Sequence, residues 1–149
     1  MTQSNTPLSD LMAPIIAGGG QREVEAFHRV FLEAEVGVIV NGLPGGYSGW
    51  YRVGQHDRVS MPNFATADGR VVARACADPA VFAKRYDARI NAFMRGRDVL
   101  EMVMKVSELD GALVCSAASV HSIVISRAEI PGLLAARPSP PKPQWWKFW

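Results

Sequence analysis

QREVEAFHRVFLEAEVGVIV, residues Gln21–Val40, is the stretch from which the fold can be read. Val24, Phe27, His28 and Phe31 recur at the i, i+3, i+4, i+7 spacing of a single helix face. Glu23, Glu25, Arg29 and Glu33 fall elsewhere on the same helix, free to meet water. The helix expected over Gln21–Glu35 runs without a linker into Val36–Val40, a short β-branched segment that reads as a buried strand. Helix and buried strand joined this tightly need a shared core, and the rest of the chain must supply the other layers.

Downstream, Asn41-Gly42 and Pro44-Gly45-Gly46 mark turns. Tyr47–Val53 is a strand candidate weakened by Gly49 and the following Gly54. Val59–Ala65 is another, with Pro62 pointing to an edge or an irregular point. Ala67-Asp68-Gly69 reads as a turn into a short strand at Arg70–Arg74. Asp78-Pro79 has the composition of a helix start, Asp as N-cap and Pro at the first helical position. Asp98, with Glu101 three residues on, gives a second start, and Val99, Leu100, Val103 and Met104 give that helix its apolar face. Ala112–Ser116 and Ser122–Ser126 read as two strands, and Ser126-x-x-Glu129 caps a last helix carrying Ile130, Leu133 and Leu134. The expected fold is therefore a single α+β domain over residues 21–136, with a mixed or antiparallel sheet of about five strands packed with three to four helices. Residues 1–20 read as a flexible lead with one turn of helix around Ser9–Ile16, closed by Gly18-Gly19-Gly20. Residues 137–149 form a Pro-rich tail that ends Trp145-Trp146-Lys147-Phe148-Trp149.

At 149 residues, 48% of them hydrophobic and 20% charged, the chain has the makings of one self-sufficient core. A formal net charge of +2 and a pI near 8.7 are too mild for a nucleic-acid partner. The charge is unevenly spread. Residues 1–69 hold four Arg and seven acids, whereas residues 70–105 hold eight basic residues and four acids. Lys84, Arg85, Arg89, Arg95 and Arg97 lie within that basic stretch. The two cysteines, Cys76 and Cys115, lie far apart in apolar surroundings and read as buried free thiols. The start of the chain has no signal-peptide pattern, and no apolar run is long enough to span a membrane, so the cytoplasm is the expected location.

Chemistry is harder to find. His28, His56 and His121 have no partners at metal-ligand spacing. No serine sits in a Gly-x-Ser-x-Gly elbow, and no two carboxylates pair by position. The expectation is no catalytic residue, no cofactor and no metal. The loop Gly42–Gly49 follows a strand, but Pro44 and the aromatic residues beyond it stand where a phosphate-binding helix would begin. Together with His56-Asp57 it supports the alternative of a small-molecule or nucleotide-binding protein, an enzyme among the options. The most unusual feature is the tail, with four aromatic rings in five residues. Trp145, Trp146, Phe148 and Trp149 must be covered by their own domain, by another chain or by a membrane surface. These four aromatics and the five basic residues above are the expected partner-binding set, and a homodimer stays open.

From Glu23 to Leu134 the chain resembles the N-terminal domain of the SseB family. The likeness is carried by the helix from Val24 to Leu32 running into Val36–Val40, by Met61-Pro-Asn-Phe-Ala-Thr-Ala-Asp-Gly69, and by Gly96-Arg-Asp-Val-Leu-Glu-Met leading to Leu109-Asp-Gly-Ala-Leu-Val114. The sequence departs from the family pattern where an Asn-Pro is expected after the last apolar strand and Cys115-Ser116-Ala117 stands instead. The resemblance implies an α+β domain without established catalysis and an accessory or immunity role, since related domains occur near bacterial secretion loci. It carries over no catalytic residues. The leading expectation is a non-enzymatic protein-binding module; a membrane-peripheral protein anchored by the tail is the third reading.

Overall fold

Helix α2 (Gln21–Glu33) buries Phe27, Phe31 and Leu32 and leaves Val24 and His28 half-covered, as the spacing of its apolar residues requires. Half-burial lowers the proton affinity of His28, against the opposing pull of Glu129 and Glu25. After Ala34 the chain enters β1 (Glu35–Val38) directly. The structure is a computed structural model that describes residues 5–42, 50–53, 59–86 and 89–135. Its remaining elements are α1 (Pro7–Ile16), β2 (Tyr51–Arg52), β3 (Phe64–Ala65), β4 (Val71–Cys76), α3 (Pro79–Tyr86), β5 (Ala92–Arg95), α4 (Gly96–Lys105), β6 (Gly111–Cys115), β7 (Ser122–Ser126) and α5 (Ile130–Ala135).

The fold is mixed α+β in one domain, with five helices and a seven-stranded mixed sheet among the described residues. The sheet order is β2-β5-β1-β4-β6-β7, with β3 paired to β4. β1 lies antiparallel between β5 and β4, β4 and β6 run parallel, and β7 returns antiparallel at the edge. Strand residues alternate between two cores. Val36, Val38, Ala73, Ala75, Met94, Ala112 and Val114 meet Phe27, Phe31, Leu100 and Val103 under α1, α2, α4 and α5. Cys76 points to the other face, into a smaller cluster with Phe82 of α3, Ile90 and Ala117.

Several expectations change in the structure. The lead of residues 1–20 contains a ten-residue helix whose Leu8 and Met12 are buried in the main core. Pro7 stands at its start, where a missing N–H costs nothing. Its cap comes from far along the chain: the Asp78 carboxylate accepts hydrogen bonds from Leu8 N (3.2 Å) and Ser9 N (2.8 Å). Asp78 does precede α3 as expected, but its side chain serves α1. Replacing Asp78 by Asn keeps a residue that tolerates the left-handed backbone found here, φ 48°. It removes the charge and one acceptor, and Asp78→Asn is expected to cost about 1–2 kcal/mol in urea denaturation. An unchanged midpoint would mean that α1 docks without this cap.

Helix α4 begins at Gly96, not after Asp98, and Arg95 at its N-cap gives no side-chain cap. The chain turns straight from β5 into α4, so Asp98 sits inside the first turn, where a carboxylate still complements the helix dipole. The expected strand over Val59–Ala65 reduces to β3 and a single bridge between Asn41 and Ser60, with Pro62 between them. Of the Tyr47–Val53 candidate, β2 occupies Tyr51–Arg52, and residues 47–49 lie outside the described residues. Ser126 and Glu129 pair, but ahead of the helix: Glu129 Oε2 accepts from Ser126 N and from Ser126 Oγ, both at 2.8 Å, closing the turn between the end of β7 and α5, which begins only at Ile130.

Candidate functional site

Helix α4 has two working sides. Val99, Leu100 and Val103 are fully buried against the sheet. Asp98, Glu101, Met102 and Lys105, at i, i+3, i+4 and i+7, share another side. That side looks into a cavity of about 420 Å³. Met61, Met94 and Met102 line it together with Val53, Val59 and Leu109. This volume falls within the range of small-molecule sites, roughly 300–1,000 Å³, and apolar walls with a few polar groups are their usual composition.

The polar groups are clustered on α4. The Asp98 side chain is 15% exposed, and its Oδ2 lies 3.6 Å from Arg95 Nε. Its Oδ1 is buried with no hydrogen-bond partner. A carboxylate oxygen in that position is costly unless a donor reaches it. Glu101 and Lys105 stand one and two turns further along the same side, so the α4 wall offers acceptors at one end and an ammonium at the other. Sequence reading singled out the core side of α4 and passed over this one. The available signal was the mixed stripe of Asp98, Met102, Lys105 and Val106, too polar for a core and too apolar for a fully solvated face.

The expected basic surface is not one surface. Lys84, Arg85 and Arg89 are exposed, and Arg85 Nη1 donates to the carbonyls of Ala117 (3.1 Å) and Ala118 (3.3 Å). Arg95 and Arg97 belong to the β5–α4 corner, where Glu33 of α2 lies 3.9 Å from Arg95 and 3.3 Å from Arg97. Their charge is largely answered within the domain, and the Arg97 side chain is only 12% exposed. Trp145, Trp146, Phe148 and Trp149 lie outside the described residues, as do His56, Asp57 and all of the Gly42–Gly49 loop after Gly42. Among the described residues, no three His, Cys, Asp or Glu side chains are grouped to hold a metal ion.

The two cysteines are neighbours across the parallel β4–β6 pair, and both are free thiols. Cys76 is buried, and burial pushes its thiol up to about 12 despite the opposing pull of Arg74. Cys115 is only half-buried. Iodoacetamide at neutral pH should therefore modify Cys115 of the native protein more than about tenfold faster than Cys76, read by peptide mass spectrometry. Equal rates would show that β4 and β6 open as a unit.

Comparison of the chain with protein-family models, with curated proteins and with solved structures finds no match in any of the three. The likeness to the SseB family therefore rests on the segments quoted above alone.

Proposed function

We propose that the chain is a non-enzymatic binding module of SseB-like kind, and that the methionine-lined cavity beneath α4 receives an apolar anchor side chain of a protein partner. The observation that carries this reading is the wall of Met61, Met94 and Met102 around about 420 Å³. Unbranched, polarizable thioethers adapt to differently shaped apolar groups, which suits a recognition pocket better than a reaction site. Asp98, Glu101 and Lys105 at its edge supply polar contacts around the anchor. The exposed Lys84, Arg85 and Arg89 and the aromatic tail remain candidates for a wider footprint. Neutralisation of a cognate toxin is one form this role can take. The reading places the protein in the cytoplasm; among the described residues, no helix is long and apolar enough to cross a membrane.

The test compares the full chain, a chain ending at Ala136, and Met102→Trp, which fills the cavity from its half-exposed side. A protein captured by the full chain is identified by mass spectrometry, purified and titrated against all three. The expected result is at least about tenfold weaker binding by Met102→Trp with an unchanged melting temperature. Binding that Met102→Trp leaves intact removes the cavity from the interface. Loss of binding only on truncation moves the site to the tail. The size of the cavity favours one second reading, a small apolar ligand. A co-purifying small molecule in the native mass spectrum, released by Met102→Trp, would establish that reading in place of the first.

A further inference from the structure

The opposite face of the sheet carries a second hollow, independent of the cavity under α4. It lies at the carboxyl ends of the parallel strands β4 and β6, where the chain leaves the sheet and open space is left between the departing loops. Its volume is about 210 Å³, and Arg74, Phe82, Tyr86, Cys115, Ser119 and His121 line it. The loop that closes one side is fixed by its own bonds. Ser116 Oγ accepts from Ala118 N (3.0 Å) and Ser119 N (3.3 Å), Ser9 Oγ accepts from Ala117 N (2.8 Å), and Arg85 holds the carbonyls of Ala117 and Ala118. The hollow is thus preformed rather than a gap between mobile segments.

Arg74 is the unusual group in it. The side chain is half-buried on β4, and its guanidinium carbon lies 5.7 Å from the centre of the Phe64 ring and 5.6 Å from that of Phe82. The two rings hold the guanidinium in place and partly compensate its charge. Among the described residues no carboxylate does so: their ion pairs use Arg52, Arg70, Arg95 and Arg97, never Arg74. The other two structural arginines spend their donors on main-chain carbonyls, Arg127 on four and Arg85 on two. Arg74 is left with the sulfur of Cys115, a weak acceptor for a group with five N–H donors. A half-buried, oriented cation with open donors is a ready partner for an anion.

We infer that this hollow binds a small organic carboxylate carried on a single aromatic ring. The carboxylate would take the two parallel donors of the Arg74 fork, the pairing a planar guanidinium favours. Phe82 and Tyr86, with ring centres 5.0 Å apart, form the wall against which the ligand ring would pack. The hydroxyl of Ser119 and the imidazole of His121 offer polar contacts at the rim. At about 210 Å³ the hollow lies below the usual range of small-molecule sites, roughly 300–1,000 Å³, which limits its occupant to a ligand of about one ring.

The test is titration of the full chain with sodium benzoate at pH 7 and constant ionic strength, by calorimetry and amide chemical shifts. Inorganic phosphate forms a second arm. Wild type should bind benzoate saturably, with shifts centred on Ser119 and His121. Arg74→Lys, which keeps the charge and loses the fork, should bind about tenfold more weakly or worse, and Arg74→Met should not bind measurably. Ser119→Trp fills the hollow while leaving Arg74 in place, and it should also abolish binding; it keeps the test decisive if the Arg74 variants do not fold. Absence of saturable benzoate binding by wild type overturns the inference, as does binding that survives Ser119→Trp. Phosphate bound in preference to benzoate overturns the carboxylate assignment.

Discussion

Gly96→Ala is expected to lower the stability of the protein by about 3 kcal/mol, the upper end of what overpacking usually costs. A Cβ at Gly96 would lie 2.0 Å from the carbonyl oxygen of Phe31 and 2.8 Å from both its carbonyl carbon and Cδ1. The nearest obstacle is backbone, so no rotamer change relieves the clash. The neighbourhood cannot yield cheaply, because Gly96 N donates to Ala34 O at 2.9 Å and pins the first residue of α4 to the end of α2. Phe31 itself is fully buried between α2 and the sheet. Separating α4 from α2 would therefore open the main core. For a domain of this length, about 3 kcal/mol corresponds to a fall in melting temperature of roughly 6–12 °C. Gly132→Ala serves as the control, since nothing lies within 4 Å of a Cβ there. In α5 that change should be neutral or slightly stabilising. A Gly96→Ala loss below about 1 kcal/mol would show that α2 and α4 do not approach this closely in solution.

Such contacts mark the boundary of what the sequence discloses. Helix α2 and strand β1 are legible because one residue set satisfies the 3.6-residue period and the next is a β-branched run. β7, Ser-Ile-Val-Ile-Ser, is legible for the second reason, and β6 as a short apolar run. The strand β5 is not legible: Ala-Phe-Met-Arg has no β-branched residue and runs into α4 at Gly96 with no loop between them. Its place is instead fixed from outside. The Asn91 side chain accepts from Val40 N and donates to Val40 O, both at 2.9 Å, as a strand neighbour would. Helix α1 was hidden by Pro7, Pro14 and the three glycines, and it stands because a carboxylate 69 or 70 residues later supplies its cap. The candidate cavity was illegible for a related reason. Val53, Met61, Ala73, Met94 and Met102 come from separate segments, and only the sheet order brings them to one place. The basic stretch was visible as composition, but composition could not foresee that Glu33 on α2 would sit between Arg95 and Arg97.

Arg127→Met should cost about 3 kcal/mol as well, and it should reach the cavity. Arg127 stands just after β7, and its Nη1 donates to the carbonyls of Val103 (2.9 Å), Val106 (2.9 Å) and Leu109 (3.1 Å), while Nη2 donates to Met104 (3.1 Å). These carbonyls close α4 and form the turn into β6, where the last carbonyls of a helix have no intrahelical donors. A cation here also meets the negative end of the helix dipole. The position is secured by the main chain: Arg127 N donates to Asp110 O at 2.7 Å, and Asp110 in turn is bonded to Val71 through its own N–H and its carboxylate. Methionine fills a similar space and offers no donor; Val103 O and Val106 O keep the backbone donors Val106 N (3.2 Å) and Leu109 N (3.1 Å), whereas the carbonyls of Met104 and Leu109 must find water or shift, at a cost of about 1–3 kcal/mol for each group left buried and unsatisfied. Arg127→Lys tests the geometry apart from the charge. A single ammonium with three donors cannot span all four carbonyls, and roughly half the loss should remain. Lys105, Val106 and Leu109 belong both to this turn and to the cavity wall. If the cavity is the recognition site, Arg127→Met should weaken partner binding more than Asp78→Asn does when the two variants are compared at equal fractions of folded protein, because Asp78 supports α1 and touches none of that wall. Equal effects would mean that binding follows global stability, and that the end of α4 has no special part in shaping the site.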